Sequence, residues 1–168
     1  MNGDIDQILK RKILDSPYWK TDCFALNAAG LCEKAADLRE VGGLAHQNQR
    51  PTAYICLVYK LLLIDPPREI VEEMLRQPYF KYLTAVAALF VRLRYEPLAV
   101  HRLLEPLLGD YRKLRHQQRE LLTLWHIDEL IDALLTEERV FGLALPRMPA
   151  RLKLEDVGLE PREPLVEC

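Results

Sequence analysis

Residues 52–64 read TAYICLVYKLLLI, and Lys60 is the only charged residue in this stretch. Its apolar side chains cover nearly every face of a helix instead of one stripe. A helix that is apolar all round is normally buried at the centre of a domain. We therefore predict that this segment is a central helix and that the remainder of the chain packs around it.

Upstream of this segment, apolar residues recur at steps of three and four over residues 5–13 and again over residues 24–38. This spacing is typical of amphipathic helices that bury one face. The second helix is predicted to end at Gly42 and Gly43, because glycine readily adopts the left-handed conformation found at helix C-termini.

Downstream, further helices are predicted to begin near Pro67, Pro78 and Pro97, since proline is favoured in the first turn of a helix. Pro106 and Gly109 are predicted to end the third of these and to turn the chain. A last helix is predicted to place four apolar residues on one face: Leu124, Ile127, Ile131 and Leu134.

No stretch alternates apolar and polar residues convincingly over the length of a strand, and no Asn-Gly or Asp-Gly pair lies between two apolar runs as a hairpin turn would. The predicted fold is therefore all-α, a single compact domain of about seven short helices around one core. We place this domain at residues 1–147. Residues 148–168, which are rich in proline and charge, are predicted to form a flexible tail.

The composition excludes several classes of protein. Apolar residues make up 49% of the chain and charged residues 29%, which is typical of a globular domain. The net charge of -2 gives no overall basic field for nucleic acid, although an acidic tail could mask a basic face. The uninterrupted apolar runs, Leu61–Ile64 among them, are all far too short for a membrane span, and the polar N-terminus does not resemble a signal peptide.

The cysteines and histidines give no pattern of metal ligands. None of the four cysteines forms a C-x-x-C pair, so we expect free thiols in a reducing compartment. The histidines lack the close spacing of a zinc site. His126, Glu129 and Asp132 lie near one helical face, but a di-iron site needs a second copy of the motif. We expect no metal or cofactor, Cys23 as a core residue, and no enzymatic activity.

The densest basic cluster comprises Arg112, Lys113, Arg115 and Arg119. Four cations so close together could contact RNA phosphates, with an affinity that falls steeply as salt rises. The alternative interpretation is a solvated helix face that binds nothing.

An ordered series of motifs resembles the pre-mRNA-splicing factor 38 family over residues 5–147. The matching segments, in order, are Tyr18-Trp19-Lys20, Cys23-Phe24, Gly42-Gly43, Asn48-Gln49-Arg50-Pro51-Thr52, Phe80-Lys81-Tyr82, Leu104-Glu105-Pro106-Leu107, Asp110-Tyr111-Arg112-Lys113, His126–Asp132, Arg139-Val140 and Leu145-Pro146-Arg147. One departure is the loop at His46-Gln47, where members of the family usually carry additional glycine.

The resemblance implies a nuclear, non-enzymatic component of the spliceosome that is required for its activation. The family is associated with the U4/U6·U5 tri-snRNP and the precatalytic spliceosome. It also implies two kinds of protein partner, a microfibrillar-associated-protein homologue and a small zinc-finger splicing protein. Direct binding of snRNA through Arg112–Arg119 is the alternative function.

We predict that partner proteins contact Asp110, Tyr111 and Arg112, which the turn after Gly109 should present outward together. Tyrosine and arginine supply large contact areas and directional hydrogen bonds in interfaces. Trp19 and Arg147 are further candidates. The alternative is that Tyr111 and Trp19 fill the core and that Asp110 caps a helix.

Overall fold

The computed structural model describes residues 5–45 and 49–161. Within these ranges the chain forms helices and short antiparallel strand pairs. The α-helices are α1 (Gln7–Asp15), α2 (Pro17–Thr21), α3 (Ala28–Ala36), α4 (Ala53–Ile64), α5 (Arg68–Arg76), α6 (Lys81–Arg94), α7 (Pro97–Leu104), α8 (Ile127–Thr136) and α9 (Arg151–Asp156), with a 3₁₀ helix at Glu105–Gly109. The strands are β1 (Leu44–Ala45), β2 (Arg50–Pro51), β3 (Lys113–Gln118), β4 (Leu121–His126), β5 (Arg139–Val140) and β6 (Leu143–Ala144).

Two helices share the centre of the domain. The predicted central helix is confirmed as α4, whose side chains from Tyr54 to Tyr59 are all buried. However, α6 is buried over the longer range Tyr82–Leu93 and packs against α3, α4, α5, α7 and α8. The hydroxyl of Tyr54 donates a hydrogen bond to the carbonyl of Ala85 at 2.8 Å, which joins the two helices inside the core.

The prediction of an all-α fold is wrong over residues 113–126. These residues form a hairpin in which β3 and β4 pair antiparallel, with Lys113 opposite His126 and Gln118 opposite Leu121. Of the basic cluster, Lys113 and Arg115 therefore lie on β3, Arg119 follows in its turn, and Arg112 immediately precedes the strand, so the cluster is not on a helix. Leu124, assigned above to the buried face of the last helix, lies on β4 and is exposed.

Gly42 and Gly43 do not end a helix, since α3 ends at Ala36. A Cβ atom at Gly43 would lie 2.1 Å from the carbonyl oxygen of Phe141, and one at Gly42 would lie 2.6 Å from that of Gln117. The two glycines instead let the segment before β1 approach the backbone of β3 at Gln117 and the backbone of the β5–β6 turn at Phe141.

The predicted flexible tail also differs from the structure. Within residues 148–161, α9 forms a short helix, and Leu154 and Leu159 are buried. The Arg151 guanidinium donates to both carboxylate oxygens of Glu105, at 2.6 and 2.9 Å. Residues 162–168 and residues 46–48, which include the His46-Gln47 loop, lie outside the described residues. No described helix combines the length and apolar character that crossing a membrane would need.

Candidate partner-binding site

The corner after the 3₁₀ helix is built around an ion pair between Asp110 and Arg112. The Nε of Arg112 donates to both carboxylate oxygens of Asp110 at 3.0 Å, and its Nη2 donates to Oδ2 at 2.7 Å. The backbone carbonyls of the two residues accept hydrogen bonds from Asp128 and Ile127. These two backbone hydrogen bonds hold the corner against the first turn of α8.

The same guanidinium joins the corner to the loop before α6. Nη1 of Arg112 donates to the carbonyl of Pro78 at 3.1 Å, and Nη2 lies 3.3 Å from the hydroxyl of Thr84. Because Tyr79 follows Pro78 and Tyr111 precedes Arg112, these bonds bring the backbones of two tyrosines to one corner of the molecule.

The loop before α6 is held in one conformation by the side chain of Gln77. Its Oε1 accepts from the backbone N–H groups of Tyr79 and Phe80 at 3.0 and 2.8 Å. Its Nε2 donates to the carbonyl of Phe80 at 2.8 Å and to the hydroxyl of Thr84 at 3.0 Å. A loop fixed in this way loses little conformational entropy when a partner binds.

We call Tyr79, Phe80 and Tyr111 the aromatic corner. Their exposed fractions are 82%, 47% and 65%, although large aromatic side chains are on average mostly buried. Aromatic residues are enriched at the centres of protein interfaces, where they contribute much of the binding energy. A rigid corner that exposes three of them is suited to binding another protein.

The structure separates the residues that the sequence grouped here. Tyr111 is exposed as predicted, but Asp110 and Arg112 are mostly buried in their mutual ion pair and do not point outward with it. Trp19 is half-buried, with its ring centroid 5.1 Å from that of Tyr59. Arg147 is exposed, but it lies beyond β6 in a different part of the chain.

The basic cluster likewise contains one mostly buried residue and three exposed ones. Arg112 is occupied by the ion pair, whereas Lys113 and Arg115 are exposed on one face of β3. Arg119 lies in the hairpin turn with a φ of 50°. Beside them, Leu121, Leu122 and Leu124 of β4 are also exposed.

Two sets of side chains could in principle react or bind a metal: the buried cysteines and the polar residues at the start of α8. Burial raises the pKa of Cys23 to about 12 and that of Cys56 to about 11, so both thiols stay protonated at neutral pH. His126 Nδ1 lies 2.5 Å from Glu129 Oε1, and Asp128, not the predicted Asp132, is the acidic residue near them. Asp128 and Glu129 lie in the first turn of α8, where the helix dipole favours carboxylates.

Sequence reasoning missed Tyr79 and Phe80 as candidates. The signal that could have identified them is their position between Pro78 and the first residue of α6, outside the apolar stripe of that helix. No comparable signal marks Gln77, because its role depends on the folded loop.

Comparison with known proteins gives consistent relatives. The sequence model of the PRP38 family matches residues 2–158. Pre-mRNA-splicing factor 38 of Schizosaccharomyces pombe is 49% identical over 155 residues, which cover 92% of this chain and 73% of the relative. The human pre-mRNA-splicing factor 38A is 41% identical over 165 residues, which cover 97% of this chain but only 53% of the relative.

A solved structure shares the fold. It is described as the crystal structure of the Snu23-Prp38-MFAP1(217-258) complex of Chaetomium thermophilum, and the matching chain superposes with a TM-score of 0.93 at 38% identity. The match covers 96% of this chain and 85% of that one. The resemblance inferred from the sequence motifs is confirmed, and the chain belongs to the PRP38 family.

Proposed function

We propose that this chain is a non-enzymatic scaffold of the spliceosome that acts in the nucleus by binding other splicing proteins. The observation that carries the proposal is the aromatic corner, a rigid and exposed set of three aromatic side chains. Its presence in a family whose curated relatives are named pre-mRNA-splicing factors supports a role in splicing.

The partners that we propose are the counterparts of Snu23 and of MFAP1 residues 217–258, which accompany the relative from Chaetomium thermophilum. We further propose that this assembly acts with the U4/U6·U5 tri-snRNP in the precatalytic spliceosome and is needed for spliceosome activation. The motif resemblance supports this stage of action. Tyr79 and Tyr111 would supply the central contacts, with Phe80 at the edge of the interface.

Co-purification tests the scaffold proposal. The purified chain is mixed with Snu23 and with the MFAP1 fragment of Chaetomium thermophilum, and the mixture is separated by size-exclusion chromatography. We expect the chain to elute in a complex with at least one of them. Separate elution of all three proteins at micromolar concentration would count against the proposal.

Direct RNA binding is a second proposal, and the exposed pair Lys113 and Arg115 favours it. The test variant is Lys113→Glu with Arg115→Glu. Arg112 is excluded from the test because reversing its charge would also break the ion pair with Asp110. If the wild-type chain retains U4 or U6 snRNA at low salt and the variant does not, RNA contact is supported. Equal retention, or none by either protein, contradicts it.

A further inference from the structure

The outer edge of β4 has the features of a docking strand. The pairing order of this small sheet follows from its hydrogen bonds. Val41 N donates to the carbonyl of Arg115 at 2.7 Å, and Gln117 N donates to the carbonyl of Val41 at 2.9 Å. Backbone groups at Arg115 and Gln117 therefore point away from β4, toward Val41.

Backbone groups alternate in direction along an antiparallel pair, and this rule fixes the direction of the groups on β4. Arg115 lies opposite Leu124 and Gln117 lies opposite Leu122. These two are thus the pairs without mutual hydrogen bonds, so the N–H and C=O groups of Leu122 and Leu124 point outward. Among the described residues, β4 pairs only with β3, which makes this outer edge free.

The side chains of this edge are unusual for a free strand. Proteins commonly protect free edges with charged residues, proline or bulges, because unprotected edges pair with other chains. Residues 121–126 of β4 read LLTLWH and contain neither proline nor a lysine, arginine or acidic residue. Leu121, Leu122 and Leu124 are exposed by 69%, 51% and 60%.

The charges next to this edge indicate what it binds. Residues that face each other across an antiparallel pair point to the same side of the sheet, so Arg115 lies beside Leu124 and Lys113 lies beside His126. Both cations are exposed. A strand placed along β4 would meet leucines first and cations immediately behind them. Apolar side chains beside the cations favour an acidic peptide over the polar backbone of RNA.

We propose that β4 binds an extended segment of a partner protein, with alternating apolar and acidic side chains, as an added strand of the hairpin sheet. The outward N–H and C=O groups of Leu122 and Leu124 would form the backbone hydrogen bonds, and Lys113 and Arg115 would attract the acidic side chains. This inference is independent of the aromatic corner and stands whether or not the partner is a splicing protein.

The probe is a peptide of roughly eight alternating glutamate and valine residues, the length of a long strand. One control peptide has lysine in place of glutamate. Another has proline at its two central positions, which removes the amide donors in either register. Backbone amide shifts of the isotope-labelled chain are recorded by NMR during each titration, together with hydrogen exchange of the free chain.

We expect fast exchange at the Leu122 and Leu124 amides of the free chain, and shifts centred on these amides with the acidic peptide. The lysine peptide should bind roughly tenfold more weakly, because it meets like charge. The proline peptide should produce no shifts. Protection of these amides in the free chain, equal binding of the lysine peptide, or shifts centred elsewhere would overturn the proposal.

Variants of the protein separate backbone pairing from side-chain contact. Leu124→Pro removes an outward N–H that β3 does not use, whereas Leu124→Ala keeps this N–H and shortens the side chain. We expect Leu124→Pro to abolish peptide binding while Leu124→Ala retains it. Equal binding by both variants, stronger shifts of the same amides with oligouridine RNA, or a dimer that forms through β4 would each overturn the proposal.

Discussion

At the scale of single residues, Arg112 is a structural side chain whose removal should destabilise the fold. Its guanidinium bonds to Asp110, the carbonyl of Pro78 and the hydroxyl of Thr84, and it is mostly buried. Arg112→Ala would leave the partly buried Asp110 carboxylate without its cation. We expect the free energy of unfolding to fall by about 2 kcal/mol, measured by urea denaturation.

Lys113→Ala is the matched control for this prediction. Lys113 is the adjacent cation but is exposed, so its removal should change the free energy of unfolding by less than about 0.5 kcal/mol. Equal effects of the two substitutions would contradict the structural role of Arg112.

A second prediction at this scale concerns His116, whose ring stacks on Trp125 with centroids 4.5 Å apart and contacts the ring of Phe141 edge to face. Burial lowers the pKa of His116 below its ordinary value. The unfolded chain therefore takes up a proton on His116 at higher pH than the folded chain does. The stability associated with its neutral ring is full above about pH 6.5 and is lost as pH falls toward the folded pKa.

His116→Phe keeps the stacked ring but removes this titration. Between about pH 7 and about pH 5, urea denaturation should show a smaller loss of stability for His116→Phe than for the wild-type chain. The other ionisable groups are common to both proteins and serve as the background. An identical loss of stability with falling pH in both proteins would show that His116 does not contribute to the pH dependence.

Tyr111 and Arg112 differ in how well the sequence predicted their positions in the site. The exposure of Tyr111 was predicted, since a turn after Gly109 places the next residues at the surface. The inward direction of Arg112 was not, because its acceptors at Pro78 and Thr84 lie about thirty residues earlier in the chain. Local sequence patterns contain no information about such tertiary partners.

At the scale of elements, the close approach of the segment before β1 to the turn between β5 and β6 depends on Gly43. The carbonyl oxygen of Phe141 occupies the space that a Cβ atom at Gly43 would need. Gly43→Ala must therefore displace backbone, and we expect a loss of about 3 kcal/mol in the free energy of unfolding. Thermal unfolding monitored by circular dichroism would measure it.

Gly109→Ala provides the control, because a Cβ atom there would meet nothing within 4 Å. We expect an effect between zero and about 1 kcal/mol of stabilisation, since alanine restricts the unfolded chain. A loss at Gly109 as large as that at Gly43 would show that close approach is not the reason for the glycine.

The hairpin is the element that sequence patterns predicted wrongly. Its turn contains Arg119 and Glu120 instead of glycine or asparagine, although Arg119 adopts a positive φ. On β4, leucines lie on both faces and remain exposed, so the strand lacks the alternation of a half-buried strand. In contrast, the helices around α4 follow ordinary amphipathic spacing, and most were predicted.

At the scale of the whole molecule, a rigid helical body presents two separate surfaces. α4 and α6 form the core, and the bonds of Arg112 and Gln77 attach the aromatic corner to that core. The hairpin presents its free edge as a separate element of the fold. A molecule with a fixed core and separate exposed surfaces can bind more than one partner at a time, which is what a scaffold requires.

The central claim is that the aromatic corner is where partner proteins bind. The test variant combines Tyr79→Ser with Tyr111→Ser. Phe24→Ser is the matched control, because Phe24 is also an exposed aromatic residue but lies between α2 and α3. Melting temperatures of both variants should stay close to that of the wild-type chain.

The most direct measurement is isothermal titration calorimetry of these proteins with Snu23 and with MFAP1(217–258) of Chaetomium thermophilum. We predict that the double variant binds at least one of them more than about tenfold more weakly, as expected when interface aromatics are removed, while Phe24→Ser binds like the wild-type chain. Unchanged affinity of the double variant for both partners would contradict the account.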